Sequence, residues 1–120
     1  MCFNTQVAEA KEVVTSVTPK KAAELREAKN VVFVDPRPAE AIASTTGIIV
    51  GARNVVLDDI VEGRLPAEFD DRSIHIVTSC QAGPMGAVAA HNFHKLGFAN
   101  VNYVEGGTQG WVEAGYPTER

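Results

Sequence analysis

The sequence predicts one α/β domain, in which helices cover both faces of a mainly parallel sheet. Strand-forming runs alternate with helix-forming segments along 120 residues, a length that fits a single domain with one core. Residues 31–34 are apolar throughout, which is typical of a strand buried on both faces of a parallel sheet. Residues 74–77 form another strand-like run, which leads to Cys80 in a loop of small residues.

The first half of the chain contains one clear helix and one clear strand. We assign residues 1–15 to an N-terminal extension and residues 16–120 to the domain. Thr18 is expected to cap the first helix, with Pro19 at its first position. The strand over residues 31–34 follows. The remaining elements of this half are short: a helix at 39–43, a strand at 52–56 and a helix at 57–62.

The second half continues the alternation. The strand over residues 74–77 is expected to be central in the sheet. A helix then runs from about residue 84 to residue 96, where Gly97 is a helix stop. A strand at 101–104 and a last helical turn or two at 108–114 complete the domain.

Three chemically active side chains come directly after predicted strands: Asp35, Cys80 and Glu105. The carboxyl ends of parallel strands meet at one edge of a sheet, and ligands bind beyond that edge. If the three strands are parallel, these residues line one candidate pocket.

Cys80 is the strongest candidate for a reactive group. It lies between the end of a strand and the start of a helix, where backbone N–H groups lack partners and the helix dipole is positive. Both features favour the anionic thiolate, which is the nucleophilic form of cysteine. The residues that follow are small, so the backbone can curl around a small anion.

Composition and charge argue against several classes of function. The net charge is −4 and basic residues do not cluster, so the chain lacks the footprint of a binder of nucleic acid or anionic membranes. No apolar run is long enough to cross a bilayer, and the first residues do not resemble a secretory signal. Two cysteines do not make a disulfide scaffold, so we expect a cytoplasmic protein, with Cys2 as an incidental thiol.

Four segments resemble the signatures of the rhodanese-like family, in the same order and spacing. They are residues 31–37 with an Asp-x-Arg, residues 47–52 with a glycine pair, the cysteine loop 80–86, and the C-terminal segment 103–117. The resemblance extends from about residue 16 to residue 117. It implies a single rhodanese-like domain.

The resemblance also implies sulfurtransferase chemistry. A small donor (thiosulfate, polysulfide or a persulfide) would transfer its sulfane sulfur to Cys80, and a thiol or cyanide would collect it from the resulting persulfide. The donor or the acceptor can also be a protein. Backbone N–H groups of the substrate-binding loop would hold the sulfur and the anionic oxygens of the donor. That loop consists of Gln81, Ala82, Gly83, Pro84, Met85 and Gly86. Such chemistry needs no metal and no organic cofactor.

The loop departs from the family in its charge. Relatives that act on thiosulfate often carry basic residues in this loop, whereas every residue of 81–86 is uncharged here. We therefore expect weak affinity for the thiosulfate dianion and a preference for a less charged donor. Arg53 is the candidate for a positive charge supplied from elsewhere in the chain.

Asp35, Arg37 and Glu105 each have two interpretations. Asp35 and Arg37 form either a local ion pair or a brace for the loops around Cys80. Glu105 is either a turn-stabilising carboxylate or a wall of the pocket that repels dianions. His91 and His94 have a spacing that metal sites use, but the sequence shows no third ligand, so no metal site is assigned.

Three other functions are compatible with a cysteine in this position. A phosphatase or arsenate reductase requires His-Cys-x5-Arg, but Ser79 precedes Cys80 and Gly86 occupies the arginine position, which disfavours that chemistry. A non-catalytic binding module or a partner-dependent sulfur relay is a second alternative. A redox sensor that joins Cys80 to Cys2 is a third.

Overall fold

The computed structural model describes residues 3–120, so Cys2 and the interpretation of its thiol lie outside the described residues. In chain order the strands are β1 (Thr15–Val17), β2 (Val31–Asp35), β3 (Ile48–Ile49), β4 (Arg53–Asn54), β5 (His75–Thr78), β6 (Val101–Val104) and β7 (Thr118–Glu119). The helices are α1 (Phe3–Val13), α2 (Pro19–Arg26), α3 (Ala39–Ala43), α4 (Leu57–Glu62), α5 (Pro84–Lys95) and α6 (Gly107–Glu113), with a 3₁₀ helix at Ala67–Asp70. This alternation confirms the predicted α/β class.

Five strands form one parallel sheet in the order β1-β6-β5-β2-β4, so β5, the strand before Cys80, is central. Its neighbours β2 and β6 both run parallel to it, with Val34 and Tyr103 on either side of Thr78. The carboxyl ends of these three strands therefore meet at one edge, as predicted. A separate antiparallel pair joins β3 to β7. The sequence did not indicate this pair, because each strand is only two residues long.

Helices cover both faces of the sheet. Alternate residues of β2 and β5 point to opposite faces. Val34 and Ile76 pack into a core on one face, together with residues of α1, α4 and α5. Phe33 and Val77 pack on the other face with α2 and with Trp111 of α6. The two cores hold the sheet edge that carries Cys80 between layers of helix.

The N-terminal segment packs onto the domain. Ala10 and Val14 are buried in the core on the side of α5, and β1 adds an edge strand beside β6. The spacing of apolar residues in the sequence did not indicate α1, because the buried face of this helix is narrow and two of its large apolar residues, Phe3 and Val13, are exposed. None of the described helices combines the length and apolar character needed to cross a bilayer.

Candidate active site

Cys80 lies just beyond the carboxyl end of β5 and is 4% exposed. The backbone before it is fixed from two directions. The N–H of Ser79 donates to the carbonyl of Val34 at 3.0 Å, which continues the pairing with β2. The hydroxyl of Thr78 donates to the carbonyl of Gly86 at 2.5 Å, which ties the end of the strand to the first turn of α5. The thiol is thus held on a rigid strand–helix junction.

The loop after Cys80 turns a backbone donor onto the sulfur. The N–H of Gly83 donates to Cys80 Sγ at 3.0 Å. Gly83 has a φ of +124°, a conformation that residues with a side chain rarely adopt. A preorganised N–H in this position can stabilise charge that develops on the sulfur during a transfer.

The first turn of α5 supplies further backbone donors after the cysteine loop. Pro84 has no N–H, so the first donors are those of Met85 and Gly86, which have no acceptor within the helix. Gly86 permits close approach, because a Cβ there would lie 3.3 Å from the backbone nitrogen of Cys80. A large side chain at this position would press on the end of the strand. Three loop residues face solvent: Gln81, Ala82 and Pro84.

The start of α6 contacts the same loop from the other side. The N–H of Thr108 donates to the carbonyl of Cys80 at 2.7 Å, and the N–H of Gln109 donates to that of Gln81 at 2.9 Å. No sequence pattern marks Thr108 or Gln109 as part of the site. The glycine pair 106–107 after a strand indicates that two backbone segments come close together. The sequence does not show that the second segment is the cysteine loop, because that depends on the tertiary fold.

Asp35 and Arg37 form a buried ion pair, 1% and 4% exposed. Arg37 Nη2 lies 2.7 Å from Asp35 Oδ2, and Nε lies 3.0 Å from Oδ1. Arg37 also donates to the hydroxyls of Thr45 and Thr46 and to the carbonyl of Gly47. Within residues 3–120 neither side chain hydrogen-bonds to the cysteine loop. The pair braces the turn after α3, which fits the interpretation as a local ion pair.

Glu105 and Arg53 are the other two charged residues that the sequence offered as parts of the site. Glu105 is exposed, and its N–H donates to the carbonyl of Val17 at 2.8 Å, which extends the pairing of β1 with β6. Arg53 lies beside Val34 in the register of β4 with β2, and its guanidinium pairs with Glu68 at 3.1 Å along a cleft that residues 80–86 do not line. The interpretation of Arg53 as a source of positive charge near Cys80 stays a prediction, and Glu68 is the partner that its guanidinium has in this structure.

The histidines do not form a metal site in the described part of the chain, where no three His, Cys, Asp or Glu side chains are grouped to hold an ion. His91 lines a groove between α1, α4 and α5 with Glu9 and Lys95. Burial lowers the pKa of His91, and Lys95 lowers it further, whereas Glu9 opposes the shift. His75 contacts Asn102 through its Nε2 at 2.6 Å. This contact links β5 to β6 through their side chains.

Comparison with known sequences identifies one matching domain family and a relative with a named activity. The sequence model of the Rhodanese-like domain matches residues 18–114. GlpE from Actinobacillus succinogenes, named a thiosulfate sulfurtransferase, is 30% identical over 105 residues, which cover 88% of this chain and 90% of the relative.

Two solved structures share both fold and sequence similarity with the chain. A Rhodopseudomonas palustris protein of unknown function, named as a possible tyrosine phosphatase, has a TM-score of 0.87 and 26% identity, covering 99% of this chain and 95% of that one. A rhodanese-related protein from Thermoplasma volcanium has a TM-score of 0.67 and 29% identity, with coverage of 86% and 95%.

Proposed function

The chain belongs to the rhodanese-like domain family, and from this membership we propose that it is a sulfurtransferase in which Cys80 carries sulfur as a persulfide. The observation that carries the proposal is the contact between Cys80 Sγ and the N–H of Gly83, at the start of α5. A buried thiol that meets a backbone donor beside a helix N-terminus is suited to take up and hold an anionic sulfur.

The proposed reaction has two balanced steps. The Cys80 thiolate attacks the outer sulfur of thiosulfate, the S–S bond of the donor breaks, and sulfite leaves with its electron pair. The product is a Cys80 persulfide anion. Cyanide or a thiolate then attacks the terminal sulfur, which leaves as thiocyanate or a new persulfide and regenerates the Cys80 thiolate. The N–H of Gly83 and those of the first turn of α5 stabilise the sulfur anion between the steps.

Intact-protein mass spectrometry after separate exposure to thiosulfate and to polysulfide tests this proposal. We expect a gain of one sulfur that peptide mapping places on Cys80 and not on Cys2, and that cyanide removes as thiocyanate. Sulfur found only on Cys2, or no adduct with either donor, would contradict an enzyme that works on small donors.

The charge of the loop predicts the donor. Only neutral backbone groups and uncharged side chains of residues 81–86 are available to a dianion, so we propose that a low-molecular-weight persulfide or polysulfide is preferred to thiosulfate. Gln81→Arg is expected to raise kcat/KM for thiosulfate about tenfold, because hydrogen bonds to a charged group are worth more than neutral ones. Gln81 is exposed, so the fold tolerates the change.

The matched control is Gln81→Met, which has a similar length and no charge. It should leave kcat/KM for thiosulfate within about twofold, since it adds no charged donor. Equal rates with thiosulfate for Gln81→Arg and Gln81→Met would show that loop charge does not limit the use of this donor.

A partner-dependent sulfur relay is the second candidate. It is favoured by the burial of Cys80 and by the exposure of the uncharged residues Gln81, Ala82 and Pro84. A protein surface can cover such uncharged residues at little cost in desolvation. Persulfide formation only in the presence of a cysteine desulfurase would identify a relay. A free working thiol suits a reducing compartment, so we propose a cytoplasmic location for either function.

Phosphatase chemistry, suggested by the name of the Rhodopseudomonas palustris protein, has less support in this chain. Phosphoryl transfer in such a loop requires an arginine, whose guanidinium binds the phosphate oxygens through two N–H groups. Gly86 occupies the position of that arginine here. A Cβ at this position already approaches the Cys80 nitrogen to 3.3 Å.

A further inference from the structure

The first turn of α6 holds the two peptide groups that follow the cysteine. Consecutive N–H groups of α6, those of Thr108 and Gln109, donate to the consecutive carbonyls of Cys80 and Gln81. The first N–H groups of a helix have no acceptor within it. The cysteine loop therefore caps α6, and α6 in turn fixes the orientation of the loop.

This orientation decides where the loop's own donors point. A trans peptide group is planar, with its C=O and N–H in opposite directions, and residues 3–120 contain no cis peptide bond. With the carbonyls of Cys80 and Gln81 directed at α6, the N–H groups of Gln81 and Ala82 are directed away from it. The next N–H along the chain, that of Gly83, reaches Cys80 Sγ.

Gly107 makes the approach possible. Its φ is +65°, and a Cβ there would lie 2.6 Å from the carbonyl oxygen of Gln81 and 2.7 Å from that of Cys80. Both distances are shorter than real Cβ contacts, and both neighbours are backbone atoms that cannot rotate away. The backbone of α6 can therefore reach the loop only if residue 107 is glycine.

Thr108 also makes a side-chain contact with Ser79, the residue that precedes Cys80. Its hydroxyl lies 2.7 Å from the hydroxyl of Ser79, and both groups are buried. The Ser79 hydroxyl also lies 3.4 Å from the Cys80 carbonyl, which is the group that accepts from the N–H of Thr108. When the Thr108 hydroxyl donates to Ser79, the Ser79 hydroxyl is free to donate to that carbonyl.

We propose that Thr108 is a positioning residue for the sulfur-transfer reaction, which orients the Cys80 loop through Ser79 and through the Cys80 carbonyl. The inference rests on the proposed function for its role in catalysis. The control of Cys80 reactivity by Thr108 does not depend on sulfur transfer, because it concerns the orientation of the loop.

The test measures the rate of Cys80 alkylation by iodoacetamide and the rate of persulfide formation, both in a Cys2→Ser background. Thr108→Val keeps the shape and removes the hydroxyl. We expect both rates to fall about tenfold, which corresponds to the net contribution of one hydrogen bond. Thr108→Ser, which restores the hydroxyl, should recover most of both rates. The loss should appear in kcat and leave KM within about twofold.

Thr118→Val is the matched control, since the Thr118 hydroxyl donates to the carbonyl of Thr46, a residue outside the cysteine loop, at 2.9 Å. It should leave both rates unchanged. The proposal is overturned if Thr108→Val matches the wild type, if Thr108→Ser fails to recover the rates, or if Thr118→Val causes the same loss.

A double-mutant cycle tests the coupling itself. Ser79→Ala should lower the alkylation rate at least as much as Thr108→Val, because it removes the contact with Thr108 and also the contact with the Cys80 carbonyl. The double variant should match Ser79→Ala alone, because the hydroxyl of Thr108 acts through Ser79. Independent, multiplying effects would overturn the role of Ser79. If the wild type forms no persulfide but the alkylation rates follow the expected pattern, the proposed function fails while the positioning role stands.

Discussion

Cys80→Ser is expected to abolish sulfur loading and thiocyanate formation while the protein stays folded. A serine hydroxyl remains protonated at neutral pH and does not form a stable persulfide equivalent, so the first step has no nucleophile. Removal of such a group lowers turnover by about a thousandfold or more. The hydroxyl oxygen of the introduced serine can still accept the N–H of Gly83, so the buried loop keeps its hydrogen bond.

Two measurements check this result. Mass spectrometry after exposure to donor should show no added sulfur, and thermal unfolding should give a midpoint close to that of the wild type. Cys2→Ser is the matched control and should load sulfur normally. Turnover by Cys80→Ser at more than a few per cent of the wild-type rate would mean that the sulfur is carried elsewhere.

The position of Cys80 could be predicted because it depends on local patterns. The apolar run before it predicts a strand, Pro84 predicts the start of a helix, and parallel strands place their carboxyl ends at one edge. These are short-range signals, and the observed β5 and α5 confirm them. The location of the loop between these two elements then follows from chain connectivity.

The contacts that shape the loop could not be predicted in the same way. Thr108 lies 28 residues from Cys80 along the chain, and the two meet only because β6 pairs beside β5. Side-chain pairs such as Ser79 with Thr108 leave no periodic pattern. The glycine pair before Thr108 signals a tight approach, but the partner of that approach is known only once the sheet is assembled.

The pairing of Asp35 with Arg37 was partly accessible from their spacing, since the residues are neighbours around one proline. The sequence left open whether the pair supports the cysteine loops. The structure shows Arg37 donating to the turn formed by Thr45, Thr46 and Gly47. Those partners lie on a segment whose course depends on the packing of α3, which no local signal encodes.

Arg37→Met is expected to lower the free energy of unfolding by about 3–5 kcal/mol, because it leaves the Asp35 carboxylate buried without its countercharge. Asp35 is 1% exposed, so water cannot replace the lost partner. The hydroxyls of Thr45 and Thr46 also lose the hydrogen bonds that they accept from the Arg37 guanidinium. Urea unfolding, with the slope checked for constancy, measures the change.

Two variants separate this explanation from a general effect of losing an arginine. Arg64→Met removes an exposed pair with Asp59, whose side chains are 63% and 41% exposed, and should cost less than about 1 kcal/mol. The double variant Asp35→Asn/Arg37→Met has no buried charge and should be more stable than Arg37→Met alone. If the double variant were no more stable than Arg37→Met, the unpaired carboxylate would not be the cause. The cost would then lie in the lost bonds to the turn, and Arg37 would act there as a clamp for residues 45–47 independently of its charge.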